Sequence, residues 1–148
     1  MSKSIGRLMS ILHRQSQIYF NNELKDFNIT SAEYSFLLYL YHNDGITQDD
    51  LSTYLYIDKS ATARAIKSLE QKGFIVRSKD VDDKRFNRVY LTDKAKEFGP
   101  EIKDRVLQWS KLLTQDMDKD TINFVYTALE SMVTKVEQMN LKRETEDI

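Results

Sequence analysis

Two short helical segments, at residues 47–55 and 58–72, follow each other in this chain with only a brief turn between them. Thr47 supplies a hydroxyl suited to cap the first segment, and Asp58 supplies a carboxylate suited to cap the second. Gly73 follows the second segment and fits the left-handed conformation in which many helices end. The pattern predicts two short helices joined by a tight turn.

A charged β-hairpin is predicted directly after the second helix. Residues 74–76 are β-prone, residues 78–84 read as a polar loop, and residues 88–91 supply a returning strand. Two short helices followed by such a hairpin are the parts of a winged helix-turn-helix.

Longer amphipathic helices are predicted on both sides of this unit. Apolar residues recur at three- and four-residue steps through the first two dozen residues, and again in a final helix that opens at Asp118 or Asp120. A second helix, capped by Thr30 or Ser31, precedes the helix-turn-helix and stops at residues 43–45. The apolar stripes of the terminal helices need a partner surface, which suggests a dimer.

The helix after the hairpin contains the single proline of the chain. Thr92 or Asp93 caps this helix, and the dipeptide Gly99-Pro100 falls inside it. Because proline lacks an amide hydrogen, we expect the dipeptide to kink or interrupt the helix. The predicted fold class is mainly α with a small β-hairpin wing, in which a winged helix-turn-helix domain is joined to a helical dimerisation region.

Positive charge is concentrated in the middle of the chain, although the net charge is −1. Residues 58–90 carry nine basic and five acidic side chains, whereas residues 1–57 carry four and six, and residues 91–148 carry nine and twelve. A local excess of basic residues between two acidic segments is expected of a discrete phosphate-binding surface.

Hydrophobic residues make up 41% of the chain, which is enough apolar material for a core.

The second helix of the pair has two chemically different sides. On a helical wheel one side holds Thr62, Ala65, Ile66 and Leu69, and the other holds Ser60, Arg64, Lys67 and Gln71. Ala61 and Ala63 keep the outward half slim enough to enter a DNA major groove. An isolated helix of this composition is more often an ordinary surface helix, but the hairpin that follows favours DNA binding.

The hairpin tip mixes basic and acidic side chains, as a solvated loop would also do. Its charged residues are Lys79, Lys84, Arg85 and Arg88 beside Asp80, Asp82 and Asp83. We expect Arg85 to reach into a minor groove while Asp83 fixes its geometry through a charge-assisted hydrogen bond. Lys84 and Arg88 are expected to contact phosphates.

A family resemblance rests on residues 69–77, which read Leu-Glu-Gln-Lys-Gly-Phe-Ile-Val-Arg, on Asp83-Lys84-Arg85 and on Leu91-Thr92. These motifs resemble the MarR family of bacterial regulators, and the resemblance covers nearly the whole chain. It implies a single domain over residues 1–148, with residues 1–29 and 93–148 as dimerisation helices and residues 30–92 as the DNA-binding lobe. Val81 stands where the family commonly has proline.

The resemblance also assigns DNA contacts, since the outward positions of the family's recognition helix and its Asp-x-Arg wing signature match residues of this chain. The matching residues are Ser60, Ala61, Arg64, Lys67 and Ser68 in the helix and Asp83 and Arg85 in the wing. The predicted DNA contacts are these residues together with Lys59 at the start of the helix and Lys84 and Arg88 in the wing. The implied function is a homodimeric transcription regulator, more commonly a repressor, that reads a pseudo-palindromic operator in double-stranded DNA. Many family members bind small phenolic or lipophilic effectors, which leaves a small-molecule partner open here.

Cofactor and effector chemistry is limited by composition. The chain has no cysteine, and His13 and His42 lie on different predicted helices, so we expect no metal site and no cofactor. Aromatic residues either line an effector cavity or form core, and no effector residues are assigned among Tyr19, Phe20, Tyr34, Tyr39 and Trp109.

Other functional classes are less well supported. The chain offers no glycine-rich phosphate loop and no histidine-carboxylate motif, so we predict that it is not an enzyme. It has no apolar run long enough for a membrane span and no signal-like apolar block, so a cytoplasmic protein without membrane contact is expected. The alternative function is a winged-helix protein-interaction scaffold or anti-regulator that does not bind DNA.

Overall fold

Six helices and one antiparallel hairpin form the described part of the chain in the computed structural model, which covers residues 3–146, with side chains described for residues 3–140. The elements are α1 (Ile5–Glu23), α2 (Tyr34–His42), α3 (Gln48–Leu55), α4 (Lys59–Gln71), β1 (Ile75–Lys79), β2 (Asn87–Leu91), α5 (Asp93–Thr114) and α6 (Lys119–Glu146), with a 3-10 turn at Lys25–Phe27. The predicted class, mainly α with a hairpin wing, is confirmed.

The limits of α3 and α4 follow from local capping chemistry. Thr47 Oγ1 accepts a hydrogen bond from the Asp50 amide at 3.1 Å, and Asp58 Oδ1 accepts one from the Ala61 amide at 2.7 Å. Gly73 follows α4 with φ of +83°. All three predicted boundary residues are confirmed, because each acts within one turn of its own helix.

The start of α2 differs from the prediction. Neither Thr30 nor Ser31 caps the helix, which begins at Tyr34. The amide and the hydroxyl of Thr30 both donate to Glu33 Oε1 at 2.9 Å, so the hydroxyl serves as a donor and not as the cap acceptor. The predicted cap was wrong because the Thr30 side chain turns to the Glu33 carboxylate and the helix begins only after Glu33.

The hairpin strands are longer than predicted. β1 pairs with β2 in a register that runs from Ile75 opposite Leu91 to Lys79 opposite Asn87, so Lys79 belongs to a strand and not to the loop. The tip spans residues 80–86 and is closed by the Asp80 amide, which donates to the Phe86 carbonyl at 2.9 Å. This closing bond extends the pairing beyond the β-prone residues.

The predicted interruption of α5 is also wrong, since the helix runs unbroken through Gly99 and Pro100. Pro100 is exposed, so the carbonyl that loses its amide partner lies on a side of the helix open to water. The opposite side carries Ala95, Gly99 and Ile102, which are buried against the core. Continuous packing on that side holds the helix together across the proline.

The chain divides into two compact units, with the division between Trp109 and Ser110 inside α5. The hydrophobic core lies in the first unit, and its largest fully buried side chains are Phe36, Phe74, Leu24, Ile29, Leu37, Leu40, Leu51, Ile66, Leu69, Ile75, Ile102 and Val89. The second unit contains α6, on which Phe124, Tyr126, Leu129, Val133, Val136 and Met139 are exposed. Among the described residues, no helix has the length and apolar character that a membrane crossing requires.

Candidate nucleic-acid interface

Helix α4 presents the two sides that its sequence predicts. Its buried residues are Thr62, Ala65, Ile66 and Leu69. Lys59, Ser60, Arg64 and Lys67 are exposed, and Ala61 lies half-buried between them. The helix therefore offers a row of ammonium, hydroxyl and guanidinium donors with a small residue near its N-terminus, a combination suited to base edges and phosphates.

Ser68 lies at the border of the exposed side of α4, toward the start of α2. Its side chain is half-buried, and its hydroxyl donates to Glu33 Oε2 at 2.5 Å. Glu33 is only 2% exposed and was not among the predicted functional residues. A signal for it was present, since Thr30-x-x-Glu33 has the spacing of a helix capping box.

The wing tip holds an arginine in a fixed position. Arg85 Nη2 and Nε donate to Asp83 Oδ2 at 2.6 and 3.1 Å, while the Arg85 side chain remains 83% exposed. Hydrogen bonds from the Arg85 side chain hold the pKa of the Asp83 carboxyl below its ordinary value. The structure thus contains the pairing that the sequence predicted between these two residues, and Lys84 is exposed between them.

Arg88 is placed differently from the other predicted wing residues. Its Nε donates to Asp80 Oδ1 at 2.6 Å, and its Nη1 donates to the Gly45 carbonyl at 2.7 Å. The Arg88 side chain lowers the pKa of the Asp80 carboxyl through this hydrogen bond. These bonds engage the guanidinium within the fold instead of leaving it extended toward a phosphate. Sequence reasoning missed this anchor because Gly45 is 43 positions away.

Two further sets of bonds join the wing to the helices. The Gly45 amide donates to the Val89 carbonyl at 2.9 Å, and the Val89 amide donates to the Ile46 carbonyl at 2.9 Å, which adds the segment before α3 to the hairpin edge. Arg77 in β1 pairs with Glu70 in α4, with Nη2 to Oε1 at 2.9 Å. The wing and α4 are therefore held in one framework.

The candidate aromatic residues separate into two groups. The Phe20 ring lies tilted against Tyr34 and edge-on to Trp109, with ring centroids 4.3 and 6.1 Å apart, and the Tyr19 ring lies 4.9 Å from Trp109. Tyr39 instead stacks on Tyr54 at 5.6 Å. The first group fills the space between α1, α2 and α5 with rings, which is core packing.

A cavity of about 600 Å³ lies where α1, the start of α2 and α4 meet. Its walls include His13, Gln17, Tyr34, Arg64, Ser68 and Lys72.

His13 and His42 lie on different helices, and both are exposed. Within the described range, no group of three histidine or acidic side chains is arranged to hold a metal ion.

Comparisons with known proteins agree with this architecture. Residues 29–86 match the model of the MarR family. The HTH-type transcriptional regulator YybA of Bacillus subtilis is 34% identical over 96 residues, which are 65% of this chain and 64% of that protein, so the match spans slightly less than two thirds of the relative.

Solved structures extend the similarity to most of the chain. The crystal structure of a MarR transcriptional regulator from Methanosarcina mazei Go1 superposes with a TM-score of 0.87 at 37% identity, covering 91% of this chain and 97% of that one. A MarR family transcriptional regulator from Listeria monocytogenes, complexed with a 26mer DNA, superposes with a TM-score of 0.85 at 25% identity. The superposition covers 91% of this chain and 90% of that one. The chain therefore belongs to the MarR family of transcriptional regulators.

Proposed function

We propose that the chain is a homodimeric repressor that binds a pseudo-palindromic operator through α4 and the wing. The observation that carries this proposal is the pairing of an exposed donor row on α4 with an exposed Arg85 that Asp83 holds in place. The solved Listeria relative, which is complexed with DNA, supports the same use of this fold. Acting on chromosomal DNA places the protein in the cytoplasm.

In this proposal α4 enters the major groove and the wing follows the adjacent minor groove. Arg64 and Lys67 supply base-edge or phosphate contacts, with Lys59, Ser60 and Ala61 at the end of the helix that enters first. Arg85 inserts into a narrow minor groove, and Lys84 contacts a phosphate. Asp83 acts by holding Arg85, and Ser68 and Arg88 act by holding α4 and the wing in place.

The homodimer is supported by apolar side chains that the chain leaves uncovered at both ends. Ile5, Leu8, Leu12 and Ile18 of α1 are exposed. A row of exposed apolar residues also follows one side of α6, formed by Tyr126, Leu129, Val133 and Val136. Exposed apolar area of this extent is typical of a protein–protein interface. A two-fold dimer presents two copies of α4 to two half-sites about one helical turn, roughly 34–36 Å, apart.

Release by a small-molecule effector is part of the proposal. The cavity between α1, α2 and α4 is of ligand size, and Arg64 belongs both to its wall and to the exposed side of α4. A ligand that binds this arginine removes it from DNA, so the two binding events oppose each other.

The test is a fluorescence anisotropy titration of the protein against a pool of A·T-rich duplexes at several salt concentrations. The Arg64→Ala/Arg85→Ala variant is expected to lose most of the affinity and to shallow the salt slope by up to about two units, one for each positive charge withdrawn from the DNA. The matched control is Lys25→Ala/Lys111→Ala, which removes the same charge from two exposed positions outside α4 and the wing. A folded wild-type dimer that binds no duplex at low salt contradicts the proposal and points to a protein-interaction role.

A further inference from the structure

A buried carboxylate joins the start of α2 to the second half of α4. Glu33 is 2% exposed, and its oxygens accept hydrogen bonds from the Thr30 amide and hydroxyl at 2.9 Å. They also accept bonds from Ser68 Oγ at 2.5 Å and from Lys72 Nζ at 2.7 and 3.0 Å. One side chain thus collects donors that are up to 39 residues away in the chain.

The two donors, Ser68 in α4 and Lys72 at its C-cap, are spaced so that they define the orientation of the helix. Ser68 and Lys72 are four residues apart, so they lie one above the other on the same side of the helix. Two attachments to one fixed carboxylate restrain both the rotation of α4 about its axis and its position along that axis. Arg64 is one further turn toward the N-terminus of α4 on the same side, so the direction in which its side chain leaves the helix depends on this restraint.

The chemistry of the cluster indicates that its role is geometric. Replacing a buried ion pair by apolar side chains is often neutral for stability, because the cost of desolvating two charges offsets their attraction. The Glu33 and Lys72 side chains are 3% and 19% exposed, so both charges are largely withdrawn from water. Apolar residues at these positions would fill the same space without fixing the rotation of α4 about its axis.

We propose that Glu33 is a positioning residue for DNA recognition, an inference that rests on the proposed function. Through Ser68 and Lys72 it sets the angle at which α4 presents Arg64 and Lys67 to base edges. Sequence-specific binding depends on this angle, whereas contacts of flexible lysine and arginine side chains with phosphates tolerate a small rotation.

The experiment compares Kd for an operator selected with the wild-type protein against Kd for a scrambled duplex of equal length. Ser68→Ala removes one of the two attachments and leaves the Thr30 bonds at the start of α2 in place. Lys72→Met removes the ion pair, and Lys72→Arg retains it. Glu101→Gln is the control, because it neutralises a carboxylate that pairs with Arg105 in α5, outside the cluster.

We expect Ser68→Ala and Lys72→Met to lower the ratio of specific to non-specific affinity by about tenfold, the scale of one lost base contact. Non-specific affinity and the salt slope should stay at the wild-type values, and Lys72→Arg should restore most of the ratio. All titrations are made well below the unfolding midpoint of each variant. Amide hydrogen exchange of the free protein should show faster exchange in the last two turns of α4 in both variants.

The outcomes separate this inference from the function on which it rests. If the wild type binds an operator and the folded Ser68→Ala and Lys72→Met variants keep the wild-type ratio, the positioning role of Glu33 is wrong and the proposed function stands. If no duplex is bound by the wild type, the proposed function falls and this inference falls with it. An equal loss of specific and non-specific affinity would assign the cluster to folding alone.

Discussion

Arg85 and Arg88 lie three residues apart, yet their hydrogen bonds give the two guanidinium groups different surroundings. Arg85 is held by Asp83 from the same loop and is 83% exposed. Arg88 is held by Asp80 and by the Gly45 carbonyl, and it is 40% exposed. The first arginine is available to a ligand, whereas the second connects the wing to the segment before α3.

Replacing each arginine by alanine is therefore expected to have a different main effect. Arg85→Ala should weaken DNA binding and shallow the salt slope by about one unit, with little change in the thermal midpoint. Arg88→Ala should lower the thermal midpoint, because the Gly45 carbonyl and Asp80 lose their donor. Salt-dependent anisotropy and thermal unfolding of both variants provide the measurements.

A reversed pattern would contradict this division of roles. Lys111→Ala, an exposed charge removal in α5, serves as the control for both measurements. If Arg85→Ala leaves the slope unchanged, Arg85 is not at the interface. If Arg88→Ala has the thermal midpoint of the control, the bonds of Arg88 do not support the wing.

The Glu33 carboxylate predicts a specific dependence of stability on pH. Burial raises its pKa, but hydrogen bonds from Lys72, Ser68 and Thr30 outweigh burial, so the pKa is lowered from its ordinary value of 4.5. A carboxyl with a lowered pKa in the folded state stabilises that state above its unfolded pKa, and this contribution is lost as pH falls through the folded pKa.

The variant Glu33→Gln should therefore differ most from the wild type near neutral pH. The difference in free energy of unfolding between the two proteins is expected to narrow as the pH is lowered from about 5 toward about 3. Urea denaturation followed by circular dichroism at a series of pH values measures this difference. A difference that is constant across the series would show that the charge on Glu33 does not contribute to folding.

At the scale of elements, the end of α4 depends on the backbone conformation of one glycine. Gly73 has φ of +83°, and a methyl group added there would meet only Lys94 atoms at 3.8 and 3.9 Å, which is ordinary contact. Gly73→Ala should destabilise the protein by about 1–2 kcal/mol, because the left-handed conformation alone carries that cost for a residue with a side chain. Urea denaturation measures the change.

Gly6→Ala is the matched control for this substitution. Gly6 is a helical residue of α1 without a positive φ, and an added methyl group would lie 3.8 Å from Ser4 Oγ. This variant should be neutral or more stable by at most about 1 kcal/mol, because alanine is the better helix former. Equal effects of the two substitutions would mean that the conformation of Gly73 does not limit stability.

Local signals were sufficient to predict most elements, and their failures have a common cause. Thr47, Asp58 and Gly73 act on amides and carbonyls within one turn, so their roles could be read from sequence spacing. Pro100 was misread because burial of the opposite side of α5 keeps the helix continuous. Ser68 was placed on the exposed side because the position of Glu33 is not visible from the sequence of α4.

At the scale of the whole molecule, the exposed apolar row on α6 predicts self-association. Val133 is 53% exposed and lies between Leu129 and Val136 on this row. The wild type should sediment with twice the chain mass of 17.4 kDa at micromolar concentration. Val133→Glu should shift the equilibrium toward the monomer, because a carboxylate in an apolar interface must be desolvated without a partner.

Thr134→Glu adds the same charge to the neighbouring exposed residue and controls for net charge. We expect it to disturb association less than Val133→Glu does, with both variants folded by circular dichroism. Sedimentation velocity over a concentration series gives the dissociation constants. A wild type that remains monomeric throughout the series would overturn the homodimer.

Sequence patterns predicted the order of the elements, the caps of α3 and α4, the two sides of α4 and the Asp83–Arg85 pair, because each depends on groups within a few residues of one another. Only the tertiary structure showed that Glu33 holds α4 and that Arg88 holds the wing. Those bonds join residues 35 to 43 positions apart. Spacing along the chain carries no information about such partners, since the packing of other elements brings them together.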